Sequence, residues 1–285
     1  MKPRFSDYIQ LMKLRLSALV VFSALIGFIL GSIGAIDWFK LLMLMIGGTL
    51  VTGAANAFNQ IIERDLDKLM DRTRNRPLPM ERISVTNAWI MAIGVAAAGA
   101  LILTIFLNPL SGLLGIIATI LYAAVYTPMK RISPIAVFIG AFPGAIPPLL
   151  GWVAATGEFS TYGWVLFGIQ FIWQFPHFWS IAWVLDDDYK KGGFSLLPSK
   201  TGRDKASAFQ IFIYSFSLIP MGLLPYIFGM TGMLGVGLIA LAGLIITILS
   251  LQLYAKLDLL SARRVMFGSF IYLPVVLISL LIDRT

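Results

Sequence analysis

Nine stretches of about 20 predominantly apolar residues run through the chain, and they constrain its fold more than any other feature. A helix of about this length spans the hydrocarbon core of a bilayer. The predicted spans cover residues 16–36, 41–58, 86–107, 111–127, 134–156, 162–184, 208–228, 232–253 and 265–282. The pattern predicts an all-α integral membrane protein with nine transmembrane helices.

The composition excludes several other classes of protein. Hydrophobic residues make up 58% of the chain and charged residues 13%, and a water-soluble globule of this size could not hide so much apolar surface. The chain has no cysteine and a single histidine, His177. Disulfides, thiolate metal sites, a cysteine nucleophile and multi-histidine metal centres are therefore excluded.

The basic residues indicate the orientation in the membrane. Of the 22 Lys and Arg residues, 20 fall on one side of the nine predicted spans, and only Lys40 and Arg284 fall on the other. The positive-inside rule then places the N-terminus in the cytoplasm and the C-terminus outside a cell membrane. The net charge of +8 is thus a topology signal, and no nucleic-acid partner is expected.

Acidic residues concentrate at two places where predicted spans reach the cytoplasmic surface. Half of the fourteen acidic residues lie in two clusters, Glu63, Asp65, Asp67 and Asp71 after the second span and Asp186, Asp187 and Asp188 after the sixth. On a helix, Asn56, Asn59, Glu63 and Asp67 share one face. Such a stripe is costly inside a membrane unless it faces a polar cavity.

Oxygen ligands without sulfur or clustered imidazole suit Mg²⁺, which binds through one or two carboxylates and substrate phosphates. Arg72 and Arg76 follow the first cluster closely, and guanidinium groups match phosphate oxygens. The combination predicts a diphosphate site on the cytoplasmic side. The simpler alternative is a solvated, positively charged loop next to the membrane.

The spacing of the clusters predicts an internal duplication. Asp67 and Asp188 are 121 residues apart, with four span starts between them. We expect a single domain over 1–285, built from two four-helix halves and a ninth helix. No clear sequence repeat accompanies this spacing.

Several motifs at these positions resemble those of the UbiA superfamily of intramembrane prenyltransferases, and the likeness covers nearly the whole chain. The first motif reads Asn59-x3-Glu63-x3-Asp67, with Glu63 in place of an aspartate, and a Tyr-x3-Lys motif reads Tyr126 to Lys130. In the second Asp-x3-Asp motif only Asp188 fits, because Val184 occupies the first position. The resemblance implies nine helices around a central cavity, with Mg²⁺ as the cofactor.

Longer motifs place the chain near one branch of the superfamily. The stretches Gln174 to Trp179 and Gly144 to Trp152 are similar to those of the branch that attaches a farnesyl group to haem. The resemblance implies transfer from farnesyl diphosphate to a vinyl group of haem b, with addition of water and release of diphosphate. A downstream haem A synthase or terminal oxidase is an expected partner, besides the lipid bilayer.

The resemblance also implies roles for individual residues. Metal binding is expected from Asn59, Glu63, Asp67, Asp187 and Asp188, with the choice within Asp186–Asp188 left open. Diphosphate binding is expected from Arg72, Arg76, Lys130 and Lys190. Contacts with the prenyl chain or haem are expected from Asn56, Tyr122, Tyr126, Trp173, His177 and Trp179.

Some questions stay open from the sequence. His177 is either a buried, hydrogen-bonded residue or a contact to haem iron. Pro143, Pro147 and Pro148 are expected to break or kink the fifth span. The alternative functions are prenylation of another acceptor such as 4-hydroxybenzoate or a naphthoate, secondary transport, and haem delivery without catalysis.

Overall fold

The computed structural model describes residues 3–199 and 201–285, and all regular secondary structure in these ranges is helical. The helices are α1 Phe5–Met12, α2 Leu14–Gly31, α3 Trp38–Asp67, α4 Val85–Phe106, α5 Pro109–Ile120, α6 Thr127–Met129, α7 Ala136–Thr156, α8 Thr161–Lys191, α9 Lys205–Ile227, α10 Met233–Lys256 and α11 Leu259–Ile282. A π-helical turn, Leu121–Tyr126, joins α5 to α6, so that these three form one continuous rod.

Among the described residues, eight helical segments are long and apolar enough to cross a membrane, one fewer than the sequence predicts. The difference is α8, which packs between α7, α9 and α11. Its 31 residues include Gln170, Gln174 and His177, and these polar side chains lower its mean hydropathy. The chain is a multi-pass membrane protein.

Helix α7 runs unbroken from Ala136 to Thr156 although it contains three prolines. The prolines therefore do not break this span, and a kink at them stays a prediction. A proline in a helix leaves the carbonyl four residues earlier without its usual donor. Pro148 frees the carbonyl of Gly144 in this way, and the Gln170 side chain of α8 donates to that oxygen at 2.7 Å. A neighbouring helix thus compensates for the proline.

Helices α2 and α7 pack backbone against backbone. A Cβ atom at Gly27 would lie 2.1 Å from the carbonyl oxygen of Pro148, and one at Gly151 would lie 1.9 Å from that of Ala24. Small residues permit this close approach, which favours helix association in a membrane. The two glycines, one on each helix, set the distance between α2 and α7.

Helices α2 and α11 meet along a seam at which they contact each other only weakly. At one end of this seam the Arg284 side chain donates hydrogen bonds to the carbonyls of Ile29 and Ser32, at 3.1 and 2.8 Å. Ile29 lies in the last turn of α2, where its carbonyl also accepts from the Ser32 amide at 3.2 Å, and Ser32 is the residue that caps this helix. Arg284 therefore ties the end of the chain to the first long helix. The predicted duplication into two halves stays a prediction.

Candidate functional site

A polar cavity of about 150 Å³ lies at the end of the bundle that carries the α3–α4 and α8–α9 loops. Most sequence-predicted polar site residues line it. Its lining comprises Lys13, Asn59, Glu63, Asp67, Met70, Arg72, Arg76, Tyr122, Tyr126, Lys130, Tyr189, Phe194 and Leu196. Four basic side chains therefore face two carboxylates, and this excess of positive charge favours an anionic ligand.

The last turns of α3 supply the acidic side of the cavity. Asn59, Glu63 and Asp67 are buried and recur every four residues, so helix geometry alone places them on one face. The Asn59 amide donates to a Glu63 carboxylate oxygen at 2.9 Å and to the Thr127 hydroxyl at 3.2 Å. This amide fixes the orientation of the Glu63 side chain.

Each of the two carboxylates is paired with a cation. Arg76 donates both to Asp67 Oδ1 at 2.9 Å and to Oδ2 at 2.7 Å from one guanidinium nitrogen, and Lys130 forms an ion pair with Glu63. The Asp67 side chain is fully buried and that of Arg76 is 14% exposed. Buried charges need such partners, because loss of one partner leaves the other charge uncompensated.

The π-helical turn after α5 supplies the aromatic side of the cavity. Its tyrosines, Tyr122 and Tyr126, lie with ring centroids 5.3 Å apart, and the Lys130 ammonium is 5.2 Å from the centroid of Tyr126. The Thr127 hydroxyl donates to the carbonyl of Tyr122 at 2.8 Å. Such turns are rare and are often found at functional sites. The two tyrosines were expected from the sequence, whereas the π-helical turn that carries them was not.

Lys13 is a cavity residue that sequence reasoning missed. It joins α1 to α2 with a left-handed backbone, φ 50°, and this bend directs the chain back across α3. Two α3 side chains hold the end of α1, Gln60 by donating to the Leu11 carbonyl at 2.7 Å and Asn56 by donating to the Met12 carbonyl at 3.3 Å. Asn56, a residue expected from the sequence to contact the substrate, thus supports the bend and does not line the cavity.

The electrostatic setting of Lys13 is unusual. Burial, reinforced by the nearby charges of Arg76 and Lys130, lowers the pKa of the Lys13 ammonium to about 7. Loss of hydration penalises a charged amine, and like charges add to that penalty. An anion in the cavity would favour the protonated form. The only sequence signal for this position is a lysine immediately before an apolar span.

The second acidic cluster divides among three environments. An Asp188 oxygen accepts a hydrogen bond from the Asp71 backbone amide at 2.7 Å, which joins the two clusters, while its other oxygen, Oδ2, is buried without a partner among the described residues. Asp187 is 76% exposed and pairs with Arg203 at 2.9 Å. Asp186 is buried and pairs with Lys190 at 2.7 Å.

The structure therefore does not bring Asp187 or Lys190 into the cavity. Successive residues on a helix point about 100° apart, so that only one of the adjacent aspartates can face the first cluster. Arg72 does reach the cavity, with its guanidinium carbon 5.8 Å from the centroid of the Tyr189 ring. Asp188 is the member of its cluster that lies beside the first.

The donor set fits Mg²⁺ only with help from a ligand. Among the described residues, no three His, Cys, Asp or Glu side chains come close enough together to hold a metal. Glu63 and Asp67 offer oxygen donors, which Mg²⁺ prefers, and Mg²⁺ commonly binds through one or two carboxylates with the remaining ligands from water and phosphate. The unpartnered Asp188 oxygen is a further oxygen donor close to the first cluster.

Three of the residues expected to contact the prenyl chain or haem do not line the cavity: Trp173, His177 and Trp179. His177 Nδ1 is 2.9 Å from the Ser269 hydroxyl, and its ring stacks on Trp173 with centroids 4.5 Å apart. Trp179 packs against Phe175 and Tyr214 on another side of α8. His177 and Trp173 therefore form one cluster between α8 and α11, and Trp179 is separate from it.

Comparison with known proteins supports one family. Residues 20–273 match the model of the UbiA prenyltransferase family. A protoheme IX farnesyltransferase from Cytophaga hutchinsonii is 47% identical over 100% of this chain and 99% of its own length.

Solved structures show the same fold. A digeranylgeranylglyceryl phosphate synthase superposes with a TM-score of 0.82 at 21% identity, covering 98% of this chain and 97% of its own. A UbiA homologue from Archaeoglobus fulgidus bound to GPP and Mg²⁺ superposes with a TM-score of 0.68 at 19% identity, covering 96% of this chain and 99% of its own.

Proposed function

The chain belongs to the UbiA prenyltransferase family, and we propose that it has protoheme IX farnesyltransferase activity. In this reaction the farnesyl group of farnesyl diphosphate is joined to a vinyl group of haem b, water is added, and diphosphate is released. The observation that carries the proposal is the likeness to relatives of that name along the full length of the chain. The basic and acidic groups of the cavity suit its anionic leaving group.

The four basic side chains of the cavity bind the diphosphate: Lys13, Arg72, Arg76 and Lys130. Lys13 and Arg72 form no ion pair with a described carboxylate, whereas Lys130 and Arg76 are paired with Glu63 and Asp67. The two unpaired cations are available to attract the substrate. A cavity of about 150 Å³ is smaller than the roughly 300 Å³ or more of a typical small-molecule site. It therefore holds the diphosphate end, and the prenyl chain extends into the apolar bundle.

Substrate binding exchanges the partners of the paired groups. Lys130 and Arg76 would bind the diphosphate oxygens, and Glu63 and Asp67, freed from these cations, would hold Mg²⁺ together with the diphosphate. Asp188, which contacts the Asp71 amide, would offer a further oxygen donor. Bound Mg²⁺ would supply Lewis-acid stabilisation of the leaving diphosphate. The four cations of the cavity stabilise the negative charge that grows as the bond between carbon and oxygen breaks.

The aromatic side of the cavity stabilises the farnesyl allylic cation that forms when diphosphate leaves. Departure of diphosphate with the bonding electrons leaves a positive charge on the farnesyl group, and the faces of Tyr122 and Tyr126 stabilise such a charge by about 0.5–2 kcal/mol each. The vinyl π electrons of haem form the new carbon–carbon bond. Water then adds to the resulting cation and loses a proton, which completes the product without a side-chain nucleophile.

We further propose that the cavity opens to the cytoplasmic side of a cell membrane. The loops around it carry most of the basic residues of the chain, and basic loops remain on that side during insertion. Farnesyl diphosphate would then enter from the cytoplasm, and haem b from the bilayer.

Mass spectrometry of the haems formed by purified protein tests the activity. Wild type in lipid nanodiscs is incubated with farnesyl diphosphate, haem b and Mg²⁺, beside Asp67→Asn. The expected result is a farnesylated, hydrated haem with wild type and at most a trace of it with the variant. Lys40→Met is the matched control, because Lys40 lies outside the cavity in an exposed ion pair with Asp37.

Two outcomes would contradict the proposal. Product with 4-hydroxybenzoate or a naphthoate but none with haem would assign a different acceptor. Full activity of Asp67→Asn would show that the reaction does not require the Asp67 carboxylate. Omission of Mg²⁺ in the presence of a chelator is expected to abolish product with every acceptor.

A further inference from the structure

Ser269 of α11 holds two aromatic rings of α8. Its backbone carbonyl accepts a hydrogen bond from the Trp173 indole at 2.8 Å, and its hydroxyl lies 2.9 Å from His177 Nδ1. The two rings stack with an interplanar angle of 19°. One residue therefore fixes the positions of both side chains.

The hydrogen-bond pattern determines which imidazole nitrogen carries the proton. The Ser269 hydroxyl lies 2.6 Å from the carbonyl oxygen of Met266. A carbonyl can only accept, so the single hydroxyl hydrogen points at Met266. The hydroxyl can then only accept from His177, and His177 must donate from Nδ1. A neutral imidazole protonated at Nδ1 has its free lone pair on Nε2.

The surroundings of His177 suit a flat, apolar ligand. Nε2 makes no hydrogen bond to a described residue and is not among the fully enclosed polar atoms without a partner. The ring is flanked by Trp173, Phe178 and Phe270, with centroids 4.5, 5.4 and 4.9 Å away. These neighbours are aromatic and carry no charge.

The position of His177 along α8 relates it to the diphosphate site. Eleven residues separate it from Asp188, close to three full turns, so the two residues lie on the same helix face about 16 Å apart. A large acceptor held at His177 would extend along this face toward the cavity. His177 and Asp188 thus share one face of α8, and Asp188 contacts the α3–α4 loop that borders the polar cavity.

We propose that Ser269 is a positioning residue that fixes His177 as the Nδ1–H tautomer and so presents Nε2 as an axial ligand to the iron of the haem acceptor. This inference rests on the proposed function for the identity of the ligand. A metal-bound histidine normally donates its other ring N–H to a fixed acceptor, which sets its tautomer and its orientation. In this protein the Ser269 hydroxyl is the fixed acceptor of the His177 Nδ1–H group.

Haem titration without farnesyl diphosphate tests the proposal. Purified full-length wild type, Ser269→Ala, Ser269→Thr and His177→Ala in nanodiscs are titrated with ferric haem b and followed by absorption and electron paramagnetic resonance. Ser269→Ala keeps the backbone carbonyl that holds Trp173, and it removes the hydroxyl that bonds the imidazole and the Met266 carbonyl. Ser215→Ala is the matched control, since it deletes a buried hydroxyl that bonds only the Ile211 carbonyl.

Wild type is expected to show an imidazole-ligated iron spectrum that His177→Ala lacks. Ser269→Ala should weaken haem binding by about 10–100-fold, the usual effect of removing a partner of a metal ligand. Ser269→Thr, which retains a hydroxyl, should restore most of the affinity, and Ser215→Ala should match wild type. Wild-type binding without an imidazole signature, or unchanged affinity and spectrum in Ser269→Ala, would overturn the proposal.

A parallel product assay separates this inference from the proposed function. Farnesylated haem formed by a wild type that lacks imidazole ligation would uphold the activity and refute the role of Ser269. Imidazole ligation without any farnesylated haem would refute the activity and leave a haem-binding site set by Ser269.

Discussion

Arg76→Met tests the exchange of partners at Asp67 through protein stability. The substitution removes the only described cation that pairs with this fully buried carboxylate. Loss of one partner from a buried ion pair costs about 3–5 kcal/mol. Because the Arg76 side chain is only 14% exposed, little of this cost should be relieved by water. We expect a large decrease in the thermal stability of the purified variant without Mg²⁺.

Mg²⁺ should restore much of that loss, because it can replace the missing cation. A ligand at 100 times its Kd stabilises a protein by about 2.7 kcal/mol. Wild type should respond less to Mg²⁺ alone, since Arg76 already occupies Asp67, and should respond fully once inorganic diphosphate is added to draw Arg76 away. Thermal unfolding in detergent, measured across a Mg²⁺ series with and without diphosphate, gives both quantities.

Lys40→Met again provides the control, because its exposed pair with Asp37 should contribute about 0–1 kcal/mol. The reasoning fails if Arg76→Met is destabilised no more than this control. It also fails if Mg²⁺ shifts the wild type and the Arg76 variant by the same amount in the absence of diphosphate.

Three further predictions concern other parts of the molecule. Gly151→Ala should lower stability by about 1–3 kcal/mol through overpacking, whereas Gly94→Ala, with open space around its Cβ position, should be neutral or stabilising in the same melting assay. Because the pKa of Lys13 is about 7, its positive charge is present below that pH and lost above it. The affinity for farnesyl diphosphate, measured by titration, should therefore weaken with rising pH in wild type and less in Lys13→Arg; parallel curves would contradict this. Asp188→Asn should reduce product formation by at least about tenfold, and Asp187→Asn should leave it near wild type; equal losses would show that both aspartates act.

The acidic face of α3 could be predicted from the sequence because it depends only on local geometry. Residues four apart lie on one side of any α-helix, so Asn59, Glu63 and Asp67 had to face together. The long apolar stretches likewise predicted the helices with little error. Lys130 and Tyr126 are far from α3 in the sequence, so their position beside α3 cannot be deduced from helix geometry. Only the family motifs predicted them as site residues.

Features that depend on how helices pack could not be predicted in the same way. The rotation of α8 decides whether Asp187 or Asp188 faces the first cluster, and no periodicity distinguishes two adjacent aspartates. The bend at Lys13 requires a left-handed residue supported by Asn56, a contact across 44 residues. Pro148 of α7 is accommodated by a side chain of another helix, and sequence rules for an isolated helix do not include such a contact.

The bond between Arg284 and the last turn of α2 has a consequence for biosynthesis. It joins positions 252 and 255 residues apart, and contacts this distant in sequence form late. During translation, the first long helix enters the bilayer well before its partner at the C-terminus has been made. The hydrogen bonds of Arg284 to the carbonyls of Ile29 and Ser32 can therefore form only after α11 has been made, whereas α2 can pack against α7 earlier.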